Sequence, residues 1–335
     1  TAGEVIPVSI NYPLYMAKQV EVLLTAGSAL YGTDAVAGVI NIISQTPSQY
    51  GAQRLRYEGN DVDSKRGDLF LRGHVGSRPV IFGAHIDDAT NNALAEQYPD
   101  VFQLHDLYDV SGNTLLLSAA NRHSFSSEAN SSSVWGRMNV VPALEVGFSY
   151  RQASYANDYS TLSNANDYGG FLDEKLLSIY SRYQHDLSEK WSTNTLLSWS
   201  SYQLNKNSYY NNVFSNYQAG YKYADSQKIA IDSQWTYHFR EHHQLVSGLV
   251  YEHLSAIPRT TDLSQPYNDN LSVTEQKLYY FGTNNTLPVK IFEVMQDNIA
   301  LFAQDQRRWT SNIVTQIGAD RKSTRLNSSH ITLSR

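Results

Sequence analysis

From residue 53 onward, apolar and polar positions alternate with a period of two. Leu69, Leu71, Gly73 and Val75 interleave with Asp68, Phe70, Arg72 and His74, and Val80, Phe82, Ala84 and Ile86 interleave with Ile81, Gly83, His85 and Asp87. In the next clear case Leu144, Val146, Phe148 and Tyr150 share one face, opposite Glu145, Gly147, Ser149 and Arg151. Further on, Trp191, Thr193, Thr195, Leu197 and Trp199 form one stripe, and Ile229, Ile231, Ser233, Trp235, Tyr237 and Phe239 another, opposite Asp232. Val246, Gly248, Val250 and Leu254 form a weaker stripe against Ser247, Tyr251 and His253. Such alternation predicts β-strands with one apolar face. The runs extend over about 10–14 residues, where soluble strands average about 5–6. Aromatic residues at the ends of apolar stripes are what a membrane interface selects.

The connections alternate as well. Short turns are predicted at 76–79, 141–143, 187–190 and 240–243, and long polar segments at 88–113, 154–173, 204–226 and 256–296. Short turns on one side and long loops on the other is the arrangement of an outer-membrane barrel. The expected fold class is therefore all-β: an antiparallel transmembrane β-barrel of about 12 strands in this chain. Residues 114–121 also look like a strand, but including them upsets the up-and-down order. On this reading Leu144, Val146, Phe148, Trp199, Ile231 and Trp235 face lipid, while Glu145, Arg151 and Asp232 face the lumen.

Residues 20–44, VEVLLTAGSALYGTDAVAGVINIIS, break the pattern. They predict a strand, a glycine-pinned turn, a helical turn capped by Thr33, and a second, β-branched strand at 39–43. This is a small α+β unit. The stretch resembles the end of the plug domain of TonB-dependent outer-membrane receptors, whose pattern is roughly IEVLRGPxSALYGxxAxxGVINII. Glu21, Val22, Leu23, Ser28, Ala29, Leu30, Tyr31, Gly32, Ala35, Gly38, Val39, Ile40, Asn41, Ile42 and Ile43 all match. The family's Arg-Gly-Pro is replaced by Leu24, Thr25 and Ala26, which removes an electrostatic contact between plug and barrel. Residues 298–306, NIALFAQDQ, are similar to a family strand reading ALFAQDxW.

The resemblance implies three parts: the C-terminal part of a plug at 1–47, part of an outer-membrane barrel at 48–320, and a tail at 321–335. Glu21, Ser28, Tyr31, Gly32, Gly38 and Asn41 would be structural residues of the plug motif. It also implies energy-coupled uptake of a scarce ligand, such as a ferric siderophore, cobalamin or haem, across the outer membrane of a Gram-negative bacterium. The partners would be the inner-membrane TonB complex, whose contact segment is not among these residues, an iron chelate or similar small ligand, and outer-membrane lipid. A passive porin and a barrel-type outer-membrane enzyme are the alternatives. A porin lacks the plug motif, and an enzyme needs a nucleophile set that the sequence does not display.

Composition changes this picture little. The 335 residues carry a formal charge of −6, which gives no basic footprint for nucleic acid. Cysteine is absent, which removes disulfides and thiolate chemistry. Mean hydropathy is −0.43, and no apolar run is long enough for a transmembrane helix, which says nothing against strands.

The 24 tyrosines are the better lead. Tyr155, Tyr159 and Tyr168 fall in one predicted long loop, and Tyr209, Tyr210 and Tyr217 in the next. An aromatic face with a polar tip suits a flat, partly polar ligand at a wet mouth. These six are the expected ligand-binding residues. No catalytic motif appears, and no cofactor or metal is expected. His74 and His85 are predicted to face the interior, where polar residues belong anyway. His242 and His243 fall in a predicted short turn and read as solvated.

The run DRKSTRLNSSHITLSR, from Asp320 to the end, departs from the alternation and carries four of the 26 basic residues. It resembles an artefactual tail, so residues 321–335 are expected to lack strand partners. Finally, about 12 strands are too few to surround a plug, where related barrels use about 22. The first and last strands should not pair, leaving an open, curved sheet.

Overall fold

The computed structural model describes residues 14–24, 38–47, 53–59, 64–89, 93–109, 111–126, 128–156, 166–212, 216–240, 242–257, 263–276, 291–310 and 313–328. The strands are β1 (Ala17–Leu23), β2 (Val39–Ser44), β3 (Arg54–Gly59), β4 (Lys65–Val75), β5 (Arg78–Ala89), β6 (Leu107–Tyr108), β7 (Leu115–Leu117), β8 (Ala129–Val141) and β9 (Leu144–Ala156). They continue as β10 (Asn166–Asp186), β11 (Trp191–Leu204), β12 (Tyr209–Asn212), β13 (Ala219–Tyr221), β14 (Ala224–Arg240), β15 (His243–Ile257), β16 (Val294–Arg308) and β17 (Val314–Ser328). A short helix, α1 (Ala93–Gln97), lies in the connection after β5.

One antiparallel sheet dominates. Its main run is β3-β4-β5-β8-β9-β10-β11-β14-β15-β16-β17, with β12 paired to β10 and β13 to β12. Among the described residues β3 pairs only with β4 and β17 only with β16, so the sheet is open, as expected from the strand count. β6 and β7 form a separate two-stranded piece. The segment at 114–121 therefore contributes a strand without entering the wall, and the up-and-down order is kept.

Register assigns the faces. One row runs Leu71, Phe82, Gly136, Phe148, Ile179, Trp199 and Ile229 across seven consecutive strands. Its large side chains are turned to the outside: Phe148 is 40% exposed and Ile179 49%. Rows of apolar side chains left uncovered on a sheet face need an apolar solvent. The adjoining row runs Arg72, Ile81, Arg137, Gly147, Tyr180, Ser198, Ala230, Glu252, Asn298 and Thr324. These side chains bind one another. Arg137 donates to Glu145, and the Tyr180 hydroxyl donates to the same carboxylate at 2.9 Å. Lys228 and Asn298 both donate to Glu252, and Thr324 donates to Asn298. Leu144, Val146, Ile231 and Trp235 share the apolar face, and Arg151 and Asp232 the polar one, as expected.

Four glycines carry the ring of the aromatic residue directly opposite them in the register: Gly83 and Trp135, Gly136 and Phe148, Gly147 and Tyr180, Gly248 and Phe302. In each pair the ring lies across the strand onto the glycine. A Cβ at Gly83 would meet Trp135 Nε1 at 2.2 Å, and one at Gly248 would meet Phe302 Cζ at 2.4 Å.

Three expectations need correction. The stripe Val246, Gly248, Val250 and Leu254 faces the polar side, because its partners are Thr236, Gln234, Asp232 and Lys228. β15 is apolar on both faces; Leu245 and Leu249 take the outside, and Phe302 covers Gly248 within. Strand β10 begins at Asn166, inside the predicted loop at 154–173, and β12 and β13 lie inside the predicted loop at 204–226. Pairing of β10 with β12 carries the sheet past the membrane-length wall. Finally, residues 321–328 do not lack strand partners. β17 pairs with β16 through Ser328, so the division at 320/321 falls inside a strand. A backbone ladder needs no particular side chains, and the Thr324–Asn298 hydrogen bond adds to it. The outward positions of that half are nevertheless polar: Arg321 beside Leu301, Ser323 beside Ile299, Arg325 beside Asp297.

Candidate functional site

Two places on the polar face collect the residues singled out by sequence. The first is the seam between the plug-like hairpin and the wall. β1 and β2 pair antiparallel, with Glu21 opposite Asn41. Asn41 Nδ2 donates to Glu21 Oε2 at 3.0 Å, and Gln19 Nε2 donates to the other carboxylate oxygen at 2.9 Å. Gly38 enters β2 at φ +150°, where a Cβ would lie 2.4 Å from the Leu23 carbonyl oxygen. Only glycine fits there. Ser28, Tyr31 and Gly32 lie outside the described residues. Leu24, in place of the family's arginine, is 85% exposed and holds nothing.

The hairpin is fastened to the wall just before β1. Met16 packs into a buried cluster with Phe70, Ile81 and Trp135, all from the polar face of β4, β5 and β8. The Tyr15 ring stacks on His85 at 5.3 Å and 18°, and His85 Nδ1 is 2.6 Å from Asp68 Oδ1, a carboxylate only 4% exposed. Burial lifts the Tyr15 hydroxyl to about 12. Gln45, just past β2, accepts a hydrogen bond from Arg72. His85 faces inward as expected, engaged by Asp68 and Tyr15.

The second place is the long-loop end. Tyr155 and Tyr202 donate to the buried Glu174 at 3.1 and 3.0 Å. Beneath them Leu172, Leu204 and Ala224 form a cluster against which Tyr155, Tyr202 and Tyr210 pack. Lys222 Nζ lies 4.5 Å from the centre of the Tyr210 ring. Tyr168 is 3% exposed, edge-on to Phe125 with the Arg122 guanidinium over its face. Tyr209, by contrast, stands opposite Phe171 on the outward side of the sheet, donates to the Gly169 carbonyl and meets Phe171 edge-on. Tyr217 is buried and donates to the Tyr108 carbonyl. Tyr159 lies outside the described residues. Tyr168 and Tyr217 are thus occupied in packing loop against strand, while Tyr155, Tyr209 and Tyr210 keep part of their surface.

Sequence reasoning missed Tyr202, Glu174 and Tyr267. Tyr267 stacks on Tyr223 at 4.0 Å and 4°, and burial pushes the Tyr223 hydroxyl up to about 12. Tyr202 and Glu174 were reachable from strand parity, since each falls on the polar side of its stripe. Tyr267 carried no such signal. Among the described residues no group of three or more His, Cys, Asp or Glu could hold a metal ion, and no helix is long and apolar enough to cross a membrane.

No protein-family model matches the chain, and no curated protein does. Solved structures do. The FpvAI–pyocin S2 complex matches 93% of this chain and 43% of its own, at 15% identity and a TM-score of 0.65. The pyoverdine outer membrane receptor FpvA from Pseudomonas aeruginosa PAO1 matches 94% and 46%, at 15% identity and 0.62. The ferric-catecholate import receptor Fiu of E. coli K12 matches 94% and 51%, at 14% identity and 0.57. The chain thus spans about half the length, or less, of the structures it matches. At these identities the likeness speaks for the fold, which is that of the TonB-dependent outer-membrane receptors.

Proposed function

We propose that this chain is part of an outer-membrane receptor that imports a scarce small ligand, an iron chelate or similar, using energy delivered by the TonB complex. The supporting observation is the hairpin seated on the polar face of a wall whose other face is apolar. A passive pore has no use for such an insert. The lumen side offers hydrogen-bonding groups and aromatic faces, with Tyr155 and Tyr210 the proposed ligand-facing residues; Tyr209, opposite Phe171, lies on the outward side of the sheet. No bond chemistry is required of them; capture at the mouth and displacement of the plug suffice. The wall is open, and an open edge in lipid leaves backbone groups unpaired at several kcal/mol each. Transport is therefore assigned to a closed barrel that includes this wall. Residues 1–47 are the proposed plug end, 48–320 the wall, and 321–335 a segment foreign to it, on the strength of its polar outward positions.

The test is uptake of radio-iron chelates by Gram-negative cells lacking their own receptors and expressing the complete protein. Accumulation that disappears on deletion of TonB is expected. Diffusive, TonB-independent entry would favour a pore instead.

A further inference from the structure

At the long-loop end one carboxylate decides which way two tyrosine hydroxyls turn. Tyr155 on β9 and Tyr202 on β11 stand diagonally on either side of Glu174 on β10, and the register puts all three on the polar face of the sheet. Both hydroxyls donate to the same oxygen, Glu174 Oε1, at 3.1 and 3.0 Å. Glu174 is buried, and the rings rest on the cluster of Leu172, Leu204 and Ala224, so the trio is held from below. Tyr217 likewise commits its hydroxyl hydrogen to the protein, at the Tyr108 carbonyl.

A phenol has a single O–H and two lone pairs. With the hydrogen given to Glu174, the tips of Tyr155 and Tyr202 can only accept. A carboxylate is an acceptor alone. The ring faces act in the same sense, since the face of an aromatic ring is its negative pole and attracts cations. The protein already uses that property beside the trio, where the Lys222 ammonium lies 4.5 Å from the centre of the Tyr210 ring. Lys222 is itself only 5% exposed, so it belongs to the packing and not to the surface a ligand meets.

We propose that the Tyr155–Glu174–Tyr202 trio selects a ligand whose rim carries hydrogen-bond donors or a positive charge, an ammonium above all, and disfavours one with an anionic rim; this rests on the reading of the chain as part of an importer of iron chelates. Tyr202 joins Tyr155 as a ligand-facing residue. Glu174 determines specificity from behind them, by fixing the hydrogens of the two hydroxyls. A donor on the ligand finds lone pairs placed to receive it. An anionic group gives up its hydrogen bonds to water and meets acceptors in their place.

The test measures TonB-dependent radio-iron uptake by cells expressing the complete protein, from matched chelates. These are a ferric tris-hydroxamate ending in a free ammonium, the same chelate acetylated at that amine, the same chelate succinylated there so that it ends in a carboxylate, and a ferric tris-catecholate trianion. At limiting concentration the ammonium form should be taken up about tenfold or more better than the succinylated form, with the acetylated form between them. In Glu174→Gln the amide donates to one phenol oxygen, that phenol turns its O–H toward the ligand, and the ratio should fall toward one. Tyr202→Phe keeps the ring, removes one acceptor, and should lower the ratio less. Equal uptake of the ammonium and succinylated forms, a preference for the succinylated form or the trianion, or an unchanged ratio in whichever variant reaches the membrane overturns the specificity and leaves import standing. No TonB-dependent uptake from any of the four chelates refutes the importer reading and the specificity with it.

Discussion

The two faces of the wall use the same strands and the same backbone ladder, yet they are held in different ways. On the outside, side chains such as Phe148, Ile179, Leu197 and Ile229 meet no protein above them and depend on the solvent being lipid. On the inside, Arg137, Glu145, Tyr180, Lys228, Glu252 and Asn298 satisfy one another within the protein. The outside is therefore tolerant of which apolar residue is present and intolerant of charge. The inside is tolerant of charge and intolerant of losing a partner. β17 shows the contrast within one strand, since its inward Thr324 joins the network while its outward Arg321 faces the lipid side beside Leu301.

The largest expected effect tests that contrast directly. In the complete barrel in lipid, Ile179→Arg should destabilise by about 2–4 kcal/mol. Ser178→Arg, one residue away on the inner face, should cost much less. Equal penalties in a urea titration from liposomes would erase the distinction between the faces. Next comes the insert that only the inner face accepts. Gly38→Val should destabilise the hairpin by about 2 kcal/mol or more, through a strained φ and the Leu23 carbonyl. Protease susceptibility of residues 14–47 should rise while the wall stays intact. Tyr180→Phe removes one hydrogen bond to Glu145 and keeps the ring over Gly147. A loss of about 1 kcal/mol is expected, and no loss would mean the inner network is solvated rather than structural.

The smallest effects lie in the loops, outside both faces. Hydrogen bonds from Ser111 and the Asn113 backbone hold Asp109 at about 2, below its usual 3.8. Its folded value is depressed, so its contribution is present above pH 3.8 and is lost as pH falls through about 2. Burial raises Tyr223 to about 12 from 10, so its contribution is present below pH 10 and is lost as pH climbs toward 12. Amide exchange should quicken around 109–114 in acid and around 223 and 267 in alkali, with the wall unchanged in either.

Most of the wall was legible in the sequence because lipid on one side and polar groups on the other impose a strict period of two. That rule placed Leu144, Val146 and Phe148 opposite Glu145 and Arg151. It failed at β15, where Val246 and Val250 face inward beside Leu245 and Leu249 outward, and periodicity has nothing to grip. It failed again at β17, where pairing follows the backbone of β16 rather than any stripe. The long-loop end was the least legible. Tyr168 and Tyr217 looked like ligand contacts from composition, but their burial depends on Phe125, Arg122 and Tyr108, which are distant in sequence. The fastening of the hairpin through Tyr15 and Met16 left no local signature at all.

The glycines opposite Trp135, Phe148, Tyr180 and Phe302 carry a consequence for assembly. A strand that slides by two residues keeps its apolar side outward, so sidedness alone cannot detect the error. It does, however, drive each ring toward a position that already has a Cβ. The four pairs span β5-β8, β8-β9, β9-β10 and β15-β16, so a slipped alignment at any of these seams collides at once. They act as a proofreading code for the alignment of those four seams.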